Sequence, residues 1–524
     1  MASTHSDAEN RFSLHSICLI VAPAFWLYGY NQANLGGATG FESFAAHFPQ
    51  LDTIHTEGAE KAHNVTIQAT VVAIYTIGCL FGALSTISIA NRLGRRYSLV
   101  LSAAIASIGL VLQASSFSLA QLIVGRIISG IGVGGVNAVV PVWLSECAVP
   151  KSRGKNVVVL GSFVASGIAL AAWVNYGLSY HQESQLCWRL SLAMPLVFAL
   201  PLVLTPLLLP ESPRWLVQKG ELAAARASYS VIRATQEDDA SIHNAVEEIR
   251  LSLGHQNQVK SSFIKLLRNS SQRNMYRVGL AFTVNFAAQM TGANAVSYYG
   301  TTIFHESLGF GSHQSSLLAA CVLTWKIFTA FLAYATVDRV GRRALLLTSA
   351  VGMSSCMVAL AVCVSQLEHS KAAGDVAALF LFLFMAFFPL GFLGANFLYA
   401  TEVSTQELRV HLSAIGVATH WLCNFIVAEI TPICFAEIGY QTYIVYGVIG
   451  AALVPVIWFF FPETNGRTLE EIDYIFMHPS RWWKVTRFAN SYQALQQDAE
   501  TSQVKALQLK EARTNKREDV DASD

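Results

Sequence analysis

Charged side chains are absent from long, regularly placed stretches of this chain, and that spacing limits it to a membrane-embedded helical fold. No Asp, Glu, Lys or Arg lies between Arg11 and Glu42, Lys61 and Arg92, Arg96 and Arg126, Arg126 and Glu146, Lys155 and Glu183, or Arg189 and Glu211. After a charged segment the pattern resumes between Arg277 and Glu306, Arg343 and Glu368, Asp375 and Glu402, and Glu437 and Glu463. Two further runs, Glu306 to Asp338 and Arg409 to Glu437, are each interrupted by one charge, Lys326 or Glu429. A helix needs about 20 apolar residues to cross a hydrocarbon core, so the pattern predicts twelve spanning helices. Composition agrees: 13% of the 524 residues are charged and 53% are hydrophobic, against roughly 25% charged in a soluble domain. The net charge of +1 gives no reason to expect a nucleic-acid partner. Nine cysteines, among them Cys18, Cys79, Cys321 and Cys356, are scattered mostly through apolar runs and read as packing residues, without the spacing of a metal site or disulfide framework.

The chain also repeats itself. Asn91-Arg92-Leu93-Gly94-Arg95-Arg96 returns 247 residues later as Asp338-Arg339-Val340-Gly341-Arg342-Arg343. Glu146 and Arg153 return as Glu402 and Arg409, and Pro210-Glu211-Ser212-Pro213-Arg214 as Pro462-Glu463-Thr464-Asn465-Gly466-Arg467. Three landmarks in one order at nearly one offset mark a duplication, and so long a period suits the two halves of a transporter. The expected organisation is an N-terminal segment (1–13), a six-helix half (14–209), a linker with short amphipathic helices (210–275), a second six-helix half (276–461) and a C-terminal tail (462–524). Arg92, Arg95, Arg96, Lys151, Arg153, Lys155, Arg339, Arg342, Arg343 and Arg409 fall on one side, while the other carries little beyond Lys61, Arg189 and Lys371. The positive-inside rule makes the basic side, and with it both termini, cytoplasmic. Asn64-Val65-Thr66 on the opposite side is the glycosylation candidate, whereas Asn269-Ser270-Ser271 is on the wrong side. The opening segment lacks the basic start of a cleaved signal peptide.

Taken together, the two RxGRR-type turns, Gly125-Arg126, Pro141 to Glu146 (PVWLSE), Pro210 to Leu216 (PESPRWL) and Pro462 to Glu471 (PETNGRTLEE) resemble the sugar porters of the major facilitator superfamily, over about residues 20 to 476. Leu398 to Glu402 (LYATE) is similar to the fungal form of helix 10. The resemblance implies an all-α membrane protein of two pseudo-symmetric six-helix halves that moves a small solute by alternating access. It implies no enzyme activity and no cofactor, a monomer whose partners are the solute and the lipid bilayer, and a plasma-membrane location. It also gives the repeated charges a role. Arg92, Arg95, Arg96, Glu146, Arg153, Glu211 and Arg214, with Asp338, Arg339, Arg342, Arg343, Glu402, Arg409 and Glu463, are expected to form the cytoplasmic gate. One exposed pair is worth only about 0–1 kcal/mol, so a lock takes a network; topology anchoring by positive charge is the simpler alternative. Asn91 stands where Asp338 supplies an acid, so Glu146 and Glu211 are expected to carry the first half's gate.

A solute pocket is expected near the bilayer midplane. The resemblance implies that Gln289, Asn294, Tyr298, Trp421 and Asn424 line it, since amides offer hydroxyl groups both donors and acceptors; interhelical hydrogen bonding is the alternative. Other positions depart from the family pattern. Gly161 and Ala288 replace glutamines, Phe397 replaces a tryptophan, and His420 occupies the polar position before Trp421. Lys326 stands where helix 8 usually has an asparagine. An ammonium at mid-helix costs about 3 kcal/mol on insertion scales, so it needs a partner or a cavity. Either Lys326 pairs with Glu429, or it binds an anionic group of the cargo. Proton-linked relatives carry Asp in a GYD sequence beside the helix 4 arginine, whereas this chain has Gly29-Tyr30-Asn31 opposite Arg126. An amide cannot take up that proton, so facilitated transport is expected, with His420 and Glu429 as the alternative coupling candidates. A carrier of a sugar-like solute is therefore the reading, beside a carrier or exporter of an acidic or non-sugar metabolite and a transporter-like nutrient receptor. No phosphate loop, metal cluster or nucleophile triad points to an enzyme.

Overall fold

In the computed structural model the described residues are 17–491, except 148–152, 234–238, 258–272, 368, 371, 406–408, 468 and 480. The side chains of residues 17–18, Ile87, residues 153–159 and 252–257, Asp338, residues 409–410 and 469–470, and Trp482 are also outside the description. The expectations for residues 1–13, for the tail beyond 491, for the Asn269 sequon and for the side chains of Arg153, Asp338 and Arg409 therefore lie outside the described residues.

Twelve helical segments appear where the charge-free runs place them. We number them α1 (Ala22–Ala38), α2 (Gly58–Leu93), α3 (Arg95–Ala114), α4 (Leu119–Cys147), α5 (Arg153–Leu178) and α6 (Gln185–Ala193 with Leu196–Leu204) in the first half. The second half holds α7 (Asn274–Met290 with Ala293–Thr302), α8 (Ser312–Val340), α9 (Arg342–Ser365), α10 (Ala372–Phe392 with Ala395–Glu402), α11 (Arg409–Ile438) and α12 (Gln441–Phe460). Ten of these are long and apolar enough to cross a membrane as unbroken spans or nearly so. The other two fall short for visible reasons: α1 has 17 α-helical residues behind a π turn at Ile17–Val21, and α7 breaks at Gly292, whose φ of 88° a side-chain-bearing residue rarely adopts.

Packing obeys the duplication. In the first half α1 lies on α5, α2 and α3 on α4, and α3 on α6; in the second, α7 lies on α11, α8 and α9 on α10, and α9 on α12. The halves meet through α2 with α11 and α5 with α8, two seams that exchange under the pseudo-two-fold, and through α1 with α7. Lipid tails are as apolar as leucine, so such seams rest on close packing of small residues. Gly78 and Gly82 on α2 face Gly130 and Gly134 on α4. A Cβ on Gly82 would lie 2.0 Å from the Ile131 carbonyl oxygen, and one on Gly134 would lie 2.1 Å from that of Cys79. Between the halves, helices Pro213–Lys219, Leu222–Arg233 and Ala240–Asn257 occupy the basic end. Helix Leu469–Met477 follows α12 and is clasped to the start of α7: Arg277 Nη1 meets Asp473 Oδ1 at 2.8 Å, with the guanidinium over Phe476.

Candidate functional site

The break in α7 turns two amides toward one point. Gln289 ends the first half-helix and Asn294 opens the second, across Gly292. Asn294 Nδ2 donates to Gln289 Oε1 and, at 3.2 Å, to Asn424 Oδ1, while Asn294 Oδ1 accepts from Gln32 Nε2 on α1 at 3.0 Å. Tyr298 OH donates to Asn424 Oδ1 at 3.1 Å. Gln289 Nε2 lies 2.8 Å from His420 Nδ1, and His420 Nε2 lies 3.2 Å from Tyr28 OH. An amide nitrogen only donates, so Nδ1 accepts and the neutral ring gives its Nε2 proton to Tyr28. Tyr28 O–H and the buried Asn424 Nδ2, which has no partner, are then free donors at the centre. Trp421 stands edge-on to both Tyr28 and His420, and Phe397, 38% exposed, has its ring centroid 5.1 Å from that of His420. One polar chain thus runs from α1 through α7 to α11.

Lys326 and Glu429 do not meet. Glu429 accepts from Thr70 Oγ1 of α2 at 2.7 Å, across the interface between the halves. Lys326, only 1% exposed, donates to Ser297 Oγ at 3.3 Å and has its ammonium 4.9 Å from the Phe388 ring centroid. The internal ion pair is therefore replaced by two separate groups, Lys326 against α7 and Glu429 against α2. Arg126 is fully buried without a carboxylate: its Nη2 donates to Val72 O at 2.8 Å, its guanidinium lies over Tyr75, and Nη1 has no partner. Asn31 turns its Nδ2 back to Leu27 O at 2.9 Å and leaves Oδ1 unpartnered. The absent glutamine at 161 has a steric counterpart: a Cβ there would come within 2.9 Å of Leu393 O, so the break of α10 packs against α5.

At the basic end each repeated turn is built alike. Gly94 (φ 89°) ends α2, and Glu211 accepts from the main-chain N–H of Arg95 at 3.0 Å and of Arg96 at 3.1 Å. Gly341 (φ 95°) ends α8, and Glu463 accepts from Arg342 N at 2.9 Å and Arg343 N at 3.1 Å. A carboxylate on the exposed amides of a helix start satisfies orphan donors and the dipole together. The glycine is needed for its φ and for access, since a Cβ on Gly94 would lie 2.5 Å from Glu211 Oε2. Arg95 then forks onto Glu146 at 2.9 and 2.8 Å, whereas Arg342 reaches Glu402 by one bond of 3.2 Å supplemented by Asn465 and by Thr464. Arg92 and Arg339 are exposed beside these networks, and Arg214 is half-buried. The two described ion pairs here, Arg95–Glu146 and Arg342–Glu402, each join helices of one half.

The Sugar (and other) transporter family model matches residues 17–476, nearly the whole of the described chain. The chain belongs to the sugar porter family. It is 36% identical over 455 residues to the MFS-type transporter oryC of Aspergillus oryzae, covering 85% of this chain and 82% of that one. It is 31% identical over 478 residues to the sugar transporter STL1 of Saccharomyces cerevisiae, covering 90% and 83%. Among solved structures, the proton:xylose symporter XylE bound to 6-bromo-6-deoxy-D-glucose superposes with a TM-score of 0.74 at 27% identity, covering 89% of this chain and 100% of that one. This sugar porter is thus a multi-pass membrane transporter, not an enzyme.

Two participants in the polar chain of this sugar porter escape sequence reading: Tyr28 and Gln32. They sit four residues apart, hence on one face of α1, one position round from the Asn31 that motif comparison singles out. A glutamine in a charge-free run was the available signal. Asn64, the glycosylation candidate, is 4% exposed and its Nδ2 donates to Asp52 O at 2.8 Å and Pro49 O at 3.3 Å, so a glycan on that nitrogen would remove one of the two N–H donors that tie the loop to α2.

Proposed function

We propose that this sugar porter carries a polyhydroxylated, sugar-like solute by alternating access through the cleft between its halves, without proton coupling at helix 1. The observation that carries the reading is the chain of amide, hydroxyl and imidazole groups from Gln32 to Tyr28 by way of Asn294, Gln289 and His420. Its members have donors and acceptors to exchange with solute hydroxyl groups, and they come from both halves, so a bound solute would be released as the halves part. The sugar named for the related STL1 and the xylose named for XylE accord with such a cargo. Asn31 supports the absence of helix 1 coupling, because neither it nor Arg126 exchanges a proton near neutral pH. The basic end is taken as cytoplasmic and the membrane as the plasma membrane, the protein acting as a monomer.

Uptake of radiolabelled hexoses, pentoses and polyols by proteoliposomes holding the purified chain tests this. Saturable uptake of at least one, unchanged within about twofold when a pH gradient is imposed, is the expected result. Acceleration by an inward proton gradient would show that another group, with Glu429 the first to examine, couples transport to protons.

A further inference from the structure

A cation that keeps its charge out of water requires an anion, a field of oriented dipoles, or both. Lys326 lies near the middle of the 29-residue helix α8 and is 1% exposed. Of its three N–H donors one has an acceptor, the neutral Ser297 Oγ at 3.3 Å, and the ammonium faces the ring of Phe388. No carboxylate among the described residues bridges it, and the one acid inside the charge-free runs of this half, Glu429, is engaged by Thr70 instead. Arg126 in the other half repeats the situation, with two carbonyl oxygens, an aromatic ring and a buried Nη1 that has no partner. Two buried cations therefore stand in the two halves with no fixed anion answering either.

Ser297, which accepts from Lys326, lines a cleft between α1, α5, α7 and α8, and Leu323, one turn before Lys326, flanks it. The same wall carries Asn175, Tyr298, Thr301 and Ser316, all suited to hydroxyl groups. We propose that the cargo is an organic anion, a polyhydroxylated monocarboxylate whose carboxylate neutralises Lys326 while its hydroxyl groups engage the amides of α7 and α11. The assignment rests on the reading of this cleft as the solute path and narrows it to a substrate class. A neutral sugar would leave the ammonium unanswered in both the empty and the loaded carrier, whereas a carboxylate supplies its missing partner only when bound. Because no proton site at helix 1 travels with the solute, each turnover moves one negative charge across the membrane.

The test is uptake of labelled D-glucuronate and D-glucose, a pair differing chiefly by one carboxylate, measured side by side in proteoliposomes with the full chain and with quinate as a second acid. Expected are preferential uptake of an acid and its acceleration by an inside-positive potassium–valinomycin potential. Lys326→Asn should lower the acid-to-glucose ratio at least about tenfold, the scale of one lost charge-assisted hydrogen bond, and Lys326→Arg should hold it within about threefold. A ratio is unaffected by how much of each variant folds. An unchanged ratio in Lys326→Asn, or glucose uptake by the unaltered chain without uptake of either acid, overturns the anion assignment and leaves a neutral-sugar carrier standing. Uptake of none of the three overturns the assignment, and the hexose, pentose and polyol panel then decides whether the polyol-carrier reading beneath it stands.

Discussion

Gly36→Val is expected to abolish turnover while leaving the chain folded. Gly36 is on α1, and a Cβ added there would lie 2.0 Å from the main-chain oxygen of Tyr298 on α7, in the opposite half. A backbone oxygen cannot rotate away as a side chain does, so relief comes only by separating α1 from α7. That separation undoes the seam which, with the Trp173 Nε1 bond to Thr324 Oγ1 at 2.9 Å, the stacking of Tyr180 on His313 and the Lys61–Glu306 pair, closes the end opposite the basic turns. Each half keeps its own internal packing, so the loss falls on the equilibrium between states. A shift of about 2.7 kcal/mol against the closed arrangement cuts transport about 100-fold. Transport should fall by that factor or more with little change in the thermal midpoint. A cysteine placed at Ser297 in a background without reactive native thiols should become accessible to an impermeant maleimide from the opened end. Normal uptake by Gly36→Val would show that the halves never need to approach this closely.

Gly134→Val addresses the same kind of contact with the opposite consequence. Its added Cβ would sit 2.1 Å from Cys79 O and 2.6 Å from Cys79 Cα, on a helix of its own half. No working state separates α2 from α4, so the clash destabilises every state. Overpacking against yielding side chains costs about 1–3 kcal/mol; a collision of two main chains lies at the top of that range or above it, a large part of a typical stability of about 5–15 kcal/mol. Gly134→Val is expected to lower the yield of monodisperse protein and its melting midpoint, with no rescue by solute. Gly177→Val is the matched control, because nothing lies within 4 Å of a Cβ at that helical glycine, and it should leave both measurements unchanged. Equal loss in the two variants would mean that valine is harmful for reasons other than the seam.

The difference between these two glycines was not legible in the sequence, although both helices were. Charge-free length reports that a segment crosses the bilayer, because a buried charge is costly at any rotation about the helix axis. It is silent on that rotation, which decides neighbours. Lys326 and Glu429 were each read as unusual intramembrane charges, yet their pairing was an inference about azimuth, and the two point to different partners, Ser297 and Thr70. The Asn64 sequon was legible as three letters, whereas the fold of Pro49 to Asp52 that buries its amide is a tertiary event. Of the repeated turns the glycine and the cations were legible, whereas the acids that cap each helix start, Glu211 and Glu463, stand 116 and 121 residues from Arg95 and Arg342 and arrive there only in the folded chain, at nearly equal distances in the two copies.

The two helix breaks beside the cleft, at Gly292 in α7 and Gly394 in α10, both belong to the second half. Their counterparts by duplication, α1 and α4, run through without a gap, and α4 is sewn to α2 along a line of glycines. The ancestral copies have thus divided their labour. The second half holds both breaks at the cleft and most of the groups proposed to meet the solute: Gln289, Asn294, Lys326, His420 and Asn424. Under the proposed reading a change of cargo would fall mainly on residues 274–460, with Tyr28 and Gln32 the share of the first half.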